Sequence, residues 1–74
     1  MIDEDDPRPP YVQLADILRE RIRNGTYTGR LPSERTIQQE FGLAPMTTRK
    51  AVRILRDEGL VVTVNGRGTF VKKP

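Results

Sequence analysis

Residues 41–52, FGLAPMTTRKAV, close one helical pattern and open another within four residues. Gly42 supplies the left-handed backbone on which helices commonly end. Pro45 suits the first position of a new helix, where its fixed φ is already helical and its missing N–H costs nothing. From Pro45 the spacing predicts a helix to Glu58, stopped by Gly59. Thr48, Ala51, Val52 and Leu55 recur at i, i+3, i+4 and i+7 as the inward stripe. Met46, Arg49, Lys50 and Arg53 then point outward, so this helix offers solvent a cationic face with a thioether at its start.

Upstream of the junction, Leu31-Pro32 delivers Ser33, whose hydroxyl can accept from the first free amides of a helix. Glu34 follows where the helix dipole favours an acid, and the second helix is expected over Glu34–Phe41 with Ile37 and Phe41 on one face. Before it, TYTGRLP (residues 26–32) reads as a turn-rich link. A first helix is expected over residues 11–24. Its stripe is Tyr11, Leu14, Ala15, Leu18 and Ile22, widened by Ile17, and Asn24-Gly25 is its stop. The opening MIDEDDPRPP joins an acidic run to three prolines. Such a composition buries little surface, so residues 1–9 are expected to form a flexible, extended arm and residues 10–74 the folded domain.

Downstream, the period changes. LVVTV and GTFVK (residues 60–64 and 68–72) are rich in β-branched and aromatic residues. They flank Asn65-Gly66, a strong two-residue hairpin signal. The fold class is therefore mainly α, three helices closed by a two-stranded antiparallel hairpin with a cationic, glycine-flanked tip at Gly66, Arg67 and Gly68.

The composition limits what such a domain can do. A chain of 74 residues holds one small core and buries only about 60% of its unfolded surface. It contains neither histidine nor cysteine, so disulfides, zinc ligation and the common nucleophile–base pairs are out of reach. The one serine, Ser33, sits where a cap is wanted. No catalytic residue, metal ligand or cofactor site is therefore expected. The formal net charge is +3, yet Asp3, Glu4, Asp5 and Asp6 crowd the start. From Phe41 onward seven basic residues face only Asp57 and Glu58, a balance that suits a polyanionic partner as readily as a plain solvated surface. The longest aliphatic run, Leu60–Val62, cannot span a membrane, and the acidic start is no secretory leader. A cytoplasmic location with no membrane partner is expected.

Two helices joined by a tight turn containing glycine, the second cationic on its outer face, match a helix-turn-helix, in which the second helix enters the DNA major groove. A groove about 12 Å wide admits one helix. Thr47 can then donate to phosphate, Arg49 can pair bidentately with guanine, and Met46 or the Thr47 methyl can touch a thymine methyl. Lys50 and Arg53 extend the same face. The alternative is a protein-interaction module that docks through the same helix and hairpin.

Taken together, PPYVQLADILRERIRNGTY, LPSERTIQQEFGL, TTRKAVRILRDEGLV and NGRGTFV, in this order over about residues 9–72, resemble the DNA-binding domain of the GntR family of bacterial transcription regulators. The resemblance implies a winged helix-turn-helix that reads one half of a palindromic operator, more often in a repressor than an activator. It implies that Arg35 approaches the phosphate backbone, Thr47 contacts phosphate and Arg49 reaches bases or phosphates. The tip at Gly66, Arg67 and Gly68 would reach the minor groove, where arginine senses width and negative potential.

Two departures from the family pattern fall in the opening stretch. Where Gly-Val-Ser-Arg is usual, this chain has Gly42-Leu43-Ala44-Pro45. Ala44 offers no capping hydroxyl, a loss worth about 1 kcal/mol, which Pro45 partly offsets while removing an arginine that commonly touches DNA. Thr48 puts a hydroxyl where an aliphatic residue usually packs, and it needs a backbone acceptor if buried. The family also carries a C-terminal domain that binds a small-molecule effector and holds the dimer. This chain reads as a fragment of such a regulator or a minimal stand-alone form, with no effector expected on this segment and dimers formed only on DNA or through that further domain.

Overall fold

Helix α1 (Pro10–Arg23) begins at a proline, with no side chain capping it, and ends with Arg21 and Arg23 in the last turn, where cations complement the helix dipole. A computed structural model describes residues 2–72 and gives the chain this helix, α2 (Glu34–Phe41), α3 (Pro45–Asp57), β1 (Val61–Val64) and β2 (Gly68–Val71) in order. Both bounds of α2 agree with the sequence pattern; α1 begins one residue earlier than expected, and α1 and α3 each end one residue earlier, with Asn24 and Glu58 as their caps. The Ser33 hydroxyl accepts from the Thr36 amide at 3.1 Å. Gly42, at φ 65°, ends α2 in the left-handed region. Only Leu43 and Ala44 separate it from α3.

The core is one cluster built from the expected stripes. Leu14, Ala15 and Leu18 of α1 meet Ile37 of α2 and Ala51, Val52 and Leu55 of α3, with Leu31 and Val61 closing it from the link and the hairpin. Thr48 is completely buried, and its Oγ1 reaches the Ala44 carbonyl at 3.4 Å. It thus finds the backbone acceptor that its position demands, at the long end of hydrogen bonding. Tyr11, Ile22 and Phe41 pack around the rim.

Two arginines of α1 tie the helices together. The Arg19 guanidinium donates to Glu58 at 2.8 and 2.6 Å and to Asp16 at 2.7 Å, joining α1 to the end of α3. Arg21 donates to Glu40 at 3.1 and 2.6 Å and to the Tyr27 hydroxyl at 2.7 Å, and lies over the Tyr27 and Phe41 rings. The amphipathic stripe of α1 does not report these links, since it says nothing of what a long cation reaches across an interhelical gap.

The hairpin pairs Val61 with Val71, Val62 with Phe70, Thr63 with Thr69 and Val64 with Gly68. Its loop is not the two-residue turn that Asn65-Gly66 suggests but three residues, Asn65-Gly66-Arg67. The type I′ turn needs positive φ at both central residues, and among the described residues only glycines adopt positive φ. The Arg67 amide instead donates to Val64 O at 3.0 Å around Gly66 at φ 78°. Arg67 is the extra residue, and Gly68 at φ 118° returns the chain to the sheet.

The link adds a third rung to this sheet. Arg30 bridges Phe70 in antiparallel fashion, with the Leu31 amide on Thr69 O and the Val71 amide on Gly29 O, both at 2.8 Å. Residues 2–9 are also more ordered in form than an extended arm. Their backbone turns back on α1, with the Asp6 amide on Asp3 O. Gln13, buried in the first turns of α1, accepts from the Asp3 amide at 2.7 Å and donates to Asp3 O at 3.0 Å and Arg8 O at 2.9 Å. Arg8 meanwhile pairs with Asp6 and Asp16, and Ile2 packs on the core. The acidic run is thus held by one amide side chain that no hydrophobic pattern singles out.

Candidate nucleic-acid interface

Helix α3 turns its inner stripe so fully inward that the outer residues have no alternative to solvent. Met46, Arg49, Lys50, Arg53 and Arg56 line one shallow hollow along the helix, and Met46 is 56% exposed. Four of these five side chains are cations and none is an acid. Arg56 was not among the expected site residues, although its i+3 spacing from Arg53 puts it on the same face. Met46 thus projects into solvent and fills no gap in the core.

The cations differ in how they are held. Lys50 Nζ lies 5.4 Å from the centre of the Tyr11 ring, so it leans toward the start of α1. Arg49 Nε lies 3.7 Å from Glu34 Oε1 in the first turn of α2. Both side chains of that pair are at least a third exposed, so it contributes well under about 1 kcal/mol and gives way readily to a competing anion. Arg53 and Arg35 are exposed. Thr47 is half-buried in the first turn of α3, near the amides left uncapped by Ala44.

The hairpin tip forms the second part. Gly66 and Arg67 are exposed, and Gly68 sits half-buried beneath them. A cleft separates the tip from the start of α2, lined by Arg30, Ser33 and Glu34 on one side and residues 63–69 on the other. Glu34 faces this cleft and also meets Arg49, which puts the α3 face and the hairpin tip on either side of the α2 start. The nine expected residues therefore fall into two groups, with Arg35, Met46, Thr47, Arg49, Lys50 and Arg53 on the helix-turn-helix and Gly66, Arg67 and Gly68 on the wing. Arg30 was missed because its place is set by a β-bridge to a residue forty positions later, which no local pattern reports.

Elsewhere the charges serve the fold. Hydrogen bonds from Arg19 hold the Glu58 carboxyl below its usual range, and those from Arg21 do the same for Glu40. Among the described residues no group of three acids, histidines or cysteines could hold a metal ion, and no helix is long and apolar enough to cross a membrane.

The pattern of bacterial regulatory proteins of the gntR family matches residues 10–71. The chain is 43% identical over 75 residues to the HTH-type transcriptional repressor NagR of Bacillus subtilis, covering 99% of this chain and 31% of that protein. It is 40% identical over 70 residues to the histidine utilization repressor of Klebsiella aerogenes, covering 92% of this chain and 29% of that one. It thus spans about a third of the length of these relatives. Among solved structures, YtrA of Sulfolobus acidocaldarius, a GntR-family transcription factor, superposes with a TM-score of 0.89 at 36% identity over all of this chain and 80% of that one. The DNA-binding domain of AraR in complex with operator ORX1 superposes with a TM-score of 0.86 at 30% identity, covering 97% of this chain and 95% of that one. Pattern, relatives and backbone agree over the same helices and hairpin, and the chain belongs to the gntR family of bacterial regulatory proteins and has the winged helix-turn-helix fold of that family.

Proposed function

We propose that this chain is the operator-reading module of a bacterial transcriptional repressor, acting in the cytoplasm without catalysis. The observation that carries the reading is the outer face of α3, where an exposed methionine and four cations line one hollow free of acids. A helix so lined suits a major groove, whose walls are phosphate and whose floor presents guanine acceptors and thymine methyls. In this reading α3 enters the major groove with Met46 and Arg49 toward the bases and Thr47 toward phosphate. Lys50, Arg53 and Arg35 face the flanking backbone, and the Gly66-Arg67-Gly68 tip enters the minor groove. The names of the relatives support the repressor, and the operator complex of AraR supports the docking mode. Dimers would form on a palindromic site or through further protein sequence of the kind the longer relatives possess, and an effector would bind there rather than on this segment.

The test is amide-shift mapping of the chain against a random duplex at low salt, followed by selection of a binding site from randomised DNA. Shifts concentrated on α3, the start of α2 and the wing, with a recoverable consensus half-site, are the expected result. Shifts confined to other surfaces, or no duplex binding at all, would favour a protein-docking module instead.

A further inference from the structure

Arg30 is placed by the sheet and by one glycine. Its backbone is pinned through neighbouring hydrogen bonds, from the Leu31 amide to Thr69 O and from the Val71 amide to Gly29 O, each 2.8 Å long. Its side chain then lies flat against the wing at Gly68. A Cβ at Gly68 would stand 2.9 Å from Arg30 Nε, 3.4 Å from Nη2 and 3.5 Å from Cζ. The guanidinium therefore rests against the bare Cα, and a side chain there would make it shift. Among the described residues no carboxylate forms an ion pair with Arg30, whereas Arg21 and Arg49 each have one and Arg8 and Arg19 two. The acid that shares its cleft, Glu34, lies 3.7 Å from Arg49 in a weak pair and forms none with Arg30.

The position of this free cation is informative. A helix in a major groove and a hairpin tip in the adjacent minor groove straddle the sugar-phosphate strand that separates the two grooves. The cleft between the α2 start and the wing is where that strand has to pass, and Arg30, the Ser33 hydroxyl and the Thr69 hydroxyl line it. A planar fork of donors suits a phosphate diester better than the point charge of an ammonium does. We infer that Arg30 is a phosphate-binding residue that grips the strand between the grooves, seated by the absence of a side chain at Gly68. The inference rests on the DNA-binding reading above and adds a contact to it.

The experiment is the salt dependence of binding to one duplex carrying the selected half-site and to one random duplex, for the wild type, Arg30→Ala, Arg30→Lys and Gly68→Ala. Amide spectra of each variant report whether the wing still packs. Loss of one phosphate contact lowers the slope of log K against log salt by about 0.9, which weakens binding about eightfold at about 0.1 M salt. Arg30→Ala is expected to show that loss equally on both duplexes, Arg30→Lys to recover most of the slope, and Arg30→Ala added to Gly68→Ala to cost no further slope. A wild-type slope retained by Arg30→Ala, a loss confined to the half-site duplex, or an Arg30→Lys as poor as alanine would overturn the contact while leaving DNA binding intact. A wild type that binds neither duplex would overturn both.

Discussion

Arg49 and Ala44 sit five residues apart and ask opposite things of substitution. Arg49 is two-thirds exposed and only loosely held by Glu34, so its removal costs the fold little. Arg49→Ala should weaken binding to the selected half-site by about 1–3 kcal/mol and relax preference at one base position, which a mutant-site titration reads directly. Ala44 has the extended φ and ψ of a helix cap, −67° and 153°, without a side-chain bond to the first turn. Ala44→Ser should therefore raise stability by about 1 kcal/mol, a rise of about 4–8 °C in Tm for a domain of this size. If the melting curve does not move, the amides of that turn have another partner. Single residues were legible in the sequence where their role is set within one helical turn. Ser33 caps, Gly42 stops and Thr48 bonds back to Ala44, all as spacing alone suggests. Gln13 and Arg30 were not legible, because each is defined by what comes to it from a distant segment.

At the scale of elements, the helices were readable nearly to the residue and the hairpin loop was not. Helical bounds follow from caps and glycines, which act locally. A hairpin register depends on whether Asn65 or an added Arg67 absorbs the twist, a choice made by both strands together. The outcome matters for function, since the three-residue loop carries Arg67 at its tip. Arg67→Ala should reduce the salt slope of duplex binding while leaving the helical content unchanged, and an unaltered slope would mean that the wing does not meet phosphate. The elements are also linked electrostatically. Glu58 loses its pairing with Arg19 only when protonated, and its carboxyl is held below the ordinary value of 4.5. The pair's contribution is therefore complete above that value and lost as pH falls through the lowered one. Its acid is 40% exposed, which limits the contribution to about 0.5 kcal/mol. Glu58→Gln should melt a few degrees lower than the wild type near neutral pH, with the difference shrinking as pH falls through the lowered carboxyl value; a gap that persists once the carboxyl is protonated would assign it to packing.

Among the described residues, nine buried apolar side chains form the single core on which the molecule stands. At about 0.05–0.15 kcal/mol per residue, a domain of this size has little to spare. Leu18→Ala, at a completely buried position, should cost about 2–5 kcal/mol and leave much of the chain unfolded at 37 °C by circular dichroism. A cooperative, near-native melt would show that the cavity collapses. Against that narrow margin, the packing of Arg30 against Gly68 has a consequence for descent. Residue 68 is not free to drift alone, because a side chain there crowds the place that a long side chain at residue 30 occupies. Lineages that lose the glycine should be those that have already shortened residue 30, so the two sites should carry a shared history although they lie on different segments and neither belongs to the recognition helix.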